Sequence, residues 1–401
     1  MKNKLRGIYH KIDSFMIYCY SFVKGRRKID YSQNSPKTVL LMFFGKIGDM
    51  VMFLGTLKEL KSIYCKETGY RLVVACRNEV RKVIETVGMQ DEIEFFEINR
   101  EMLFHDKYYF FERVKTAERF QPYLILHIRQ NDLCEDVYIH AISANNKLIY
   151  RIFPKEITGV KGKYFTRHTY NMDFRANPNY DLLTCYADLI RKLGRTEYRS
   201  TINRMPQFEK PSVAGESRYV ALCPGASMPG KCWPVERYAE IINYILKRTA
   251  YNIIFCGGEL EKEIALKILK YIPEKNRIIN LAAKTQMDEW FGIIQNAEFV
   301  ISNESAATHI AASGCVSNIS IGEQTYGDKW LPYVPEIVRK EDKIPTIVRS
   351  AKLPCYFCAK GNFFADSACK KNFKETGVYR CVYEVTVEMV IHEIDKLMGW
   401  N

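Results

Sequence analysis

"TVLLMFFGKIGDMVMFLGTLKEL", residues 38–60, decides how this chain folds. Its first seven residues are rich in β-formers and read as a buried strand, Thr38–Phe44. The pattern then passes through Gly45-Lys46-Ile47-Gly48-Asp49 into apolar residues at helical spacing, predicted over Met50–Glu67. A strand handing over to a helix through so short a turn is the first half of a βαβ unit. The turn glycines Gly45 and Gly48 allow the backbone to approach a ligand. Asp49 stands where turn becomes helix. It is either a helix cap or a carboxylate presented to whatever the turn binds.

Working outward, the same alternation continues. Strands are expected at Arg71–Cys76, Glu92–Ile98 and Tyr123–Arg129, with a helix at Asn78–Val87. An irregular stretch over 160–180, a helix Asp181–Leu193 and a polar linker Arg204–Ser217 containing two prolines then break the rhythm and place a domain junction. A second set has strands at Tyr219–Cys223, Asn252–Cys256, Arg277–Leu281, Phe299–Ser302 and Asn318–Ile321. Its helices are Val235–Lys247, Glu261–Tyr271, Met287–Gln295 and Ala306–Ser313. The expected fold class is α/β, with two Rossmann-like doubly wound domains and ligands at the carboxyl ends of the strands. The expected layout is an N-terminal helix and linker (1–36), domains over 37–200 and 215–345, and a Cys-containing C-terminal segment (346–401) whose final helix, Thr386–Met398, is expected to pack back on the N-terminal domain.

The apolar fraction of 47% over 401 residues describes a globular chain large enough for two cores. An excess of 59 basic over 46 acidic residues, +13, favours anionic partners. The basic residues are dispersed and no nucleic-acid motif occurs, so nucleic acid is not an expected partner. Thirteen scattered cysteines, several in strands, read as reduced thiols of a cytoplasmic protein. Residues 1–28 differ from the rest: eight Lys or Arg and one acid, Asp13, accompany Leu5, Ile8, Ile12, Phe15, Met16, Phe22 and Val23 on one helical face. The apolar run is too short to span a bilayer. Its expected role is a basic amphipathic helix on an anionic membrane surface; packing on its own domain is the plainer alternative.

There is no G-x-x-x-x-G-K-[ST] loop, no G-x-G-x-x-G after a strand, and no D-x-D pair to carry a divalent ion on a sugar nucleotide. Three stretches in the second half do sit where strands end and helices begin: "CPGASMPGKCWP" (223–234), "CGGELEKE" (256–263) and "SNESAATHIAASG" (302–314). Backbone N–H groups, a lysine and a helix N-terminus gathered at one edge are equipment for a diphosphate. Near the C-terminus, Cys355-x2-Cys358, Cys369 and Cys381 fall within 27 residues. Free thiols are the default reading there, and a small zinc site the weaker one.

"GKIGDMVMFLGTLKELK", "PGASMPGKCWPVERYAEII" and "NESAATHIAASG", in this order, resemble the three signature regions of the glycosyltransferase family of the lipopolysaccharide heptosyltransferases, over about residues 38–330. The resemblance implies the GT-B architecture, with acceptor on the N-terminal domain and nucleotide-sugar on the C-terminal one. It implies inverting, metal-independent transfer of heptose from ADP-heptose to a growing lipopolysaccharide core, with no cofactor. The acceptor would be an anionic lipid-linked glycan, and the enzyme would be peripheral on the cytoplasmic face of the bacterial inner membrane. Asp49 matches the family's general base and Lys231 the lysine facing the donor phosphates. Gly225 and Ser227 fall in the second region, and Glu261 matches the ribose-holding carboxylate in an uncertain register. Ser305 and His309 match the third region. Glu304 and Ala306 depart from it, since the family has aspartate and glycine there. A Cβ at 306 and a longer acid at 304 leave open a different nucleotide-sugar and glycan, or a degenerate, non-catalytic binding protein.

Overall fold

The computed structural model describes residues 14–24, 36–129, 133–152, 160–358 and 366–400. Its chain divides into two compact units, Met1–Tyr180 with Thr184–Ser200, and Asp181–Leu183 with Thr201–Asn401.

The first unit carries a six-stranded sheet: β1 (Thr38–Met42), β2 (Arg71–Cys76), β3 (Ile93–Glu97), β4 (Pro122–Arg129), β5 (Asn146–Arg151) and β6 (Met172–Arg175). Neighbours pair in parallel in the order β3-β2-β1-β4-β5-β6. All five residues of β1 are buried, as a central strand covered on both faces requires. Behind the turn, Phe43 packs on Phe53 at 5.0 Å between ring centroids, and Phe53 meets Tyr186 edge-on at 4.9 Å. These contacts seat the helix Ile47–Lys61 on the sheet.

The second unit repeats the plan with β7 (Tyr219–Cys223), β8 (Asn252–Phe255), β9 (Ile278–Asn280), β10 (Phe299–Asn303), β11 (Asn318–Ile321) and β12 (Thr346–Val348). The order is β12-β11-β10-β7-β8-β9, again all parallel. In chain sequence this is the connectivity of the first sheet, and in both the direction of travel reverses between the first and fourth strands.

Three expectations need correcting. The stretch 160–180 is not a break: it holds the helix Val160–Thr169 and β6, whose half-exposed edge residues and flanking Asn and Pro hid the strand pattern. β5 and the three-residue edge strand β12 were not expected either. The final helix, Val387–Met398, was expected on the N-terminal domain, but it belongs to the second unit. Its buried Val390 and Ile394 share a core with Val220 of β7 and Ile321 of β11. Trp233 Nε1 donates to Val385 O at 2.9 Å, which fixes the chain's entry into that helix.

Residues 14–24 form a helix that packs on the first unit. Ile17 is fully buried in its core and Tyr18 contacts Phe165 at 5.7 Å, while Phe15, Phe22 and Val23 are exposed. Leu5, Ile8, Ile12 and the basic residues of 1–13 and 25–28 lie outside the described residues. No described helix is long and apolar enough to cross a membrane.

Candidate active site

The motifs at 45–49, 224–233 and 304–309 follow β1, β7 and β10. These are the strands flanking the two topological switch points, where open parallel sheets bind ligands because the crossing helices diverge.

In the second unit the end of β10 holds the loop after β7. Asn303 Oδ1 accepts from Trp233 N at 3.2 Å, and its Nδ2 donates to Pro224 O. Within that loop Lys231 is buried, with Nζ 2.9 Å from Glu323 Oε1 and 4.7 Å from the centre of the Tyr326 ring. Glu323 follows β11, is 1% exposed, and also accepts from Thr325 N. Glu304 sits beside this pair: its Oε2 accepts from Arg349 Nη2 at 3.2 Å and from Glu323 N at 3.4 Å. Burial and then the Glu323 charge push the Glu304 carboxyl up to about 7, against the pull of Arg349 and Lys231. Burial alone would lower the Lys231 ammonium, but Glu323 and Glu304 more than offset it and hold it above its ordinary value. The result is two cations and two carboxylates gathered at the strand ends.

Glu261 lies in the first turn of the helix Glu259–Ile268, where its carboxylate accepts from Gly258 N at 2.9 Å. Burial raises its carboxyl despite that bond. A Cβ on Gly225 would lie 2.1 Å from Glu261 Oε1, so the missing side chain at 225 leaves the space that the Glu261 carboxylate occupies. Ser227 is exposed on the same loop.

Ser305 precedes the helix Ala306–Ser313 without its hydroxyl capping it. His309, one turn on, is buried, and its Nδ1 is 2.7 Å from Tyr333 Oη. Burial lowers the imidazole to about 4, so it is neutral. Its ring is thus engaged with the protein's own tyrosine, the arrangement of a satisfied core histidine.

In the first unit Asp49 is half-buried in the first turn of its helix, and its Oδ2 accepts from Lys46 N at 2.8 Å. It therefore caps the helix. A Cβ on Gly45 would lie 2.8 Å from Asp49 Cβ and from the Phe43 ring, so glycine is needed for the close approach. Gly48 is the second residue of the helix.

Sequence reading missed Glu323, Tyr326, Arg349 and Asn303. "GEQTYGDKW" (322–330) directly follows β11, so its place at a strand's carboxyl end was a usable signal for Glu323. Arg349, just past an unexpected edge strand, had none. Among the described residues no three His, Cys, Asp or Glu side chains are gathered closely enough to hold a metal ion. Cys355, Cys358, Cys369 and Cys381 nonetheless line one cavity.

Residues 186–356 match the family model described as Glycosyltransferase family 9 (heptosyltransferase). Over 199 residues the chain is 27% identical to lipooligosaccharide heptosyltransferase 2 of Haemophilus influenzae, covering 49% of this chain and 52% of that one. The chain thus spans about half the length of the curated relatives it matches. The crystal structure of a glycosyl transferase family 9 protein from Veillonella parvula superposes with a TM-score of 0.63 at 13% identity, covering 94% of this chain and 100% of that one. E. coli ADP-heptose LPS heptosyltransferase II gives 0.60 at 15%, covering 90% and 98%. The paired doubly wound α/β fold is that of these structures. The resemblance to the family read from the motifs is borne out: residues 186–356 match the glycosyltransferase family 9 (heptosyltransferase) model, and the chain is similar to curated lipopolysaccharide heptosyltransferases.

Proposed function

We propose that the chain is an inverting, metal-independent glycosyltransferase that moves heptose from ADP-heptose to a lipopolysaccharide-core or related glycan acceptor. The observation that carries this reading is Lys231, buried and oriented by Glu323 at the β7–β10 switch point. A lysine held out of bulk water keeps its full charge where a departing diphosphate develops negative charge. Backbone N–H groups of the 225–228 loop and the first turn of the Ala306–Ser313 helix would share that load. Glu261, wedged against Gly225, is the candidate for the ribose hydroxyls.

Inverting transfer is one displacement. The acceptor oxygen bonds to the anomeric carbon as the bond from that carbon to the phosphate oxygen breaks. The acceptor proton goes to the Asp49 carboxylate, and the electron pair leaves with the nucleoside diphosphate. The bond that Asp49 accepts from Lys46 N fixes the orientation of the carboxylate.

The Glu304–Arg349 pair supports a second reading, a different sugar or base, because it occupies the position where the family has aspartate. The membrane part of the reading rests on exposed Phe15, Phe22 and Val23 beside the basic N-terminal residues, suited to an anionic surface at the inner face of the inner membrane. A thermal-shift panel of ADP, UDP, GDP and CDP with their sugar conjugates tests the donor. A ligand present at about 100 times its Kd stabilises the folded chain by about 2.7 kcal/mol. ADP and ADP-heptose should shift Tm most; a larger shift with another base would replace the donor, and no shift with any would remove the transferase reading.

A further inference from the structure

The four cysteines of the C-terminal segment are not used by the chemistry above. We infer that Cys355, Cys358, Cys369 and Cys381 bind a single divalent, thiophilic metal ion, zinc or iron(II), in a tetrahedral tetrathiolate site.

They come from three separate pieces of chain: the turn after β12, the helix Ser367–Thr376 and the short helix Arg380–Tyr383. Yet all four line one cavity of about 20 Å³, closed otherwise by Gln324, Thr325 and Tyr379. That volume suits one water-sized sphere and little else. All thirteen cysteines of the chain are free thiols, so no disulfide accounts for the convergence. Cysteine is often buried as a small hydrophobe, which would explain one or two such thiols. Four thiols drawn from three chain pieces around a single ion-sized space need another reason. The C-x2-C turn supplies two ligands from one bend, as thiolate metal sites commonly do. Four sulfur ligands select zinc or iron over magnesium or calcium.

The thiols stand wider than a coordinated set, so binding draws them inward; a turn and two short helices can make that move. The consequence is structural. Tyr379 N donates to Gly230 O at 2.7 Å, and a Cβ on Gly230 would lie 2.5 Å from the Tyr379 ring. Ser350 Oγ donates to Cys381 O at 3.2 Å. An ion there staples the turn at 355–358 and the helices carrying Cys369 and Cys381 to the Gly230–Lys231 loop. The inference does not depend on the transferase reading.

The test uses the full chain, purified without a polyhistidine tag or chelator. Elemental analysis should give about one zinc or iron per chain, and a Cys355→Ser/Cys369→Ser double variant less than about a tenth of that. The elemental analysis separates the two ions, and iron, once oxidised to iron(III) by air, would also colour the protein where zinc would not. Metal-stripped wild type titrated with Co2+ should develop sulfur-to-cobalt charge-transfer and tetrahedral bands saturating at about one equivalent. That titration decides the matter even if the double variant fails to fold. The inference is overturned by metal-free protein that shows no cobalt bands, by full metal content in a folded double variant, or by a disulfide among the four cysteines in peptide mass spectrometry.

Discussion

Lys231→Met tests the buried charge cluster most directly. Glu323, 1% exposed, would lose the ammonium 2.9 Å from its Oε1 and remain buried. Removing one partner of a buried pair typically costs about 3–5 kcal/mol, because the survivor is an uncompensated charge. Glu323→Gln should cost less, about 1–3 kcal/mol, since Lys231 still faces Glu304. The double variant Lys231→Met/Glu323→Gln replaces both charges at similar volume and should come back to within about 1–2 kcal/mol of wild type. Urea unfolding with linear extrapolation measures all three. The Lys231→Met penalty should also grow from pH 6 to pH 8: losing a cation raises the Glu304 carboxyl further, and its protonation at the lower pH relieves the cluster. A solvated surface lysine would cost only about 0.5 kcal/mol. A Lys231→Met penalty below about 1 kcal/mol, or single costs that simply add, would refute the reasoning.

Other expectations concern single groups. The folded Glu304 carboxyl lies at about 7, above its ordinary 4.5, so its stabilisation is complete below 4.5 and is lost as pH rises through 7. Glu304→Gln should flatten that part of the stability–pH curve, by at most about 3 kcal/mol. His309 is the opposite case: lowered from 6.5 to about 4, it contributes above 6.5 and loses its contribution as pH falls to 4. His309→Asn should remove about 3 kcal/mol of acid sensitivity in that window, and an unchanged curve would mean the ring takes a proton in place. Asp49→Asn keeps an acceptor for Lys46 N, so stability should hold within about 0.5 kcal/mol while turnover falls by about 10²–10⁴ and ADP affinity stays constant. Equal loss of stability and turnover would leave Asp49 as a cap only. Phe15→Ser with Val23→Ser removes exposed apolar surface without touching buried Ile17, and should release the chain from anionic vesicles; retained binding would end the membrane proposal.

Much of the fold was legible along the chain. Strands such as Arg71–Cys76 and Tyr219–Cys223 are near-continuous runs of apolar residues buried on both faces, and local order alone announces them. The glycine-bracketed turns at Gly45 and Gly225 were equally readable, because both positions sit where a Cβ has no room. These are local properties, and the sequence by itself determined them: two alternating β/α series, the motifs at their strand ends, and the family to which they point. The tertiary structure alone decided the rest. Lys231 and Glu323 are 92 residues apart and Glu304 and Arg349 are 45 apart, so no periodicity links them. The sheet order β12-β11-β10-β7, which sets the ends of these four strands side by side, brings them together. The same holds for β6 and β12, edge strands too short and too polar to announce themselves, and for the final helix, whose apolar stripe states that it must be covered but not by which unit. Pairings made by long loops depend on which surfaces are left to fill once the sheets have formed, and that is a property of the assembled core.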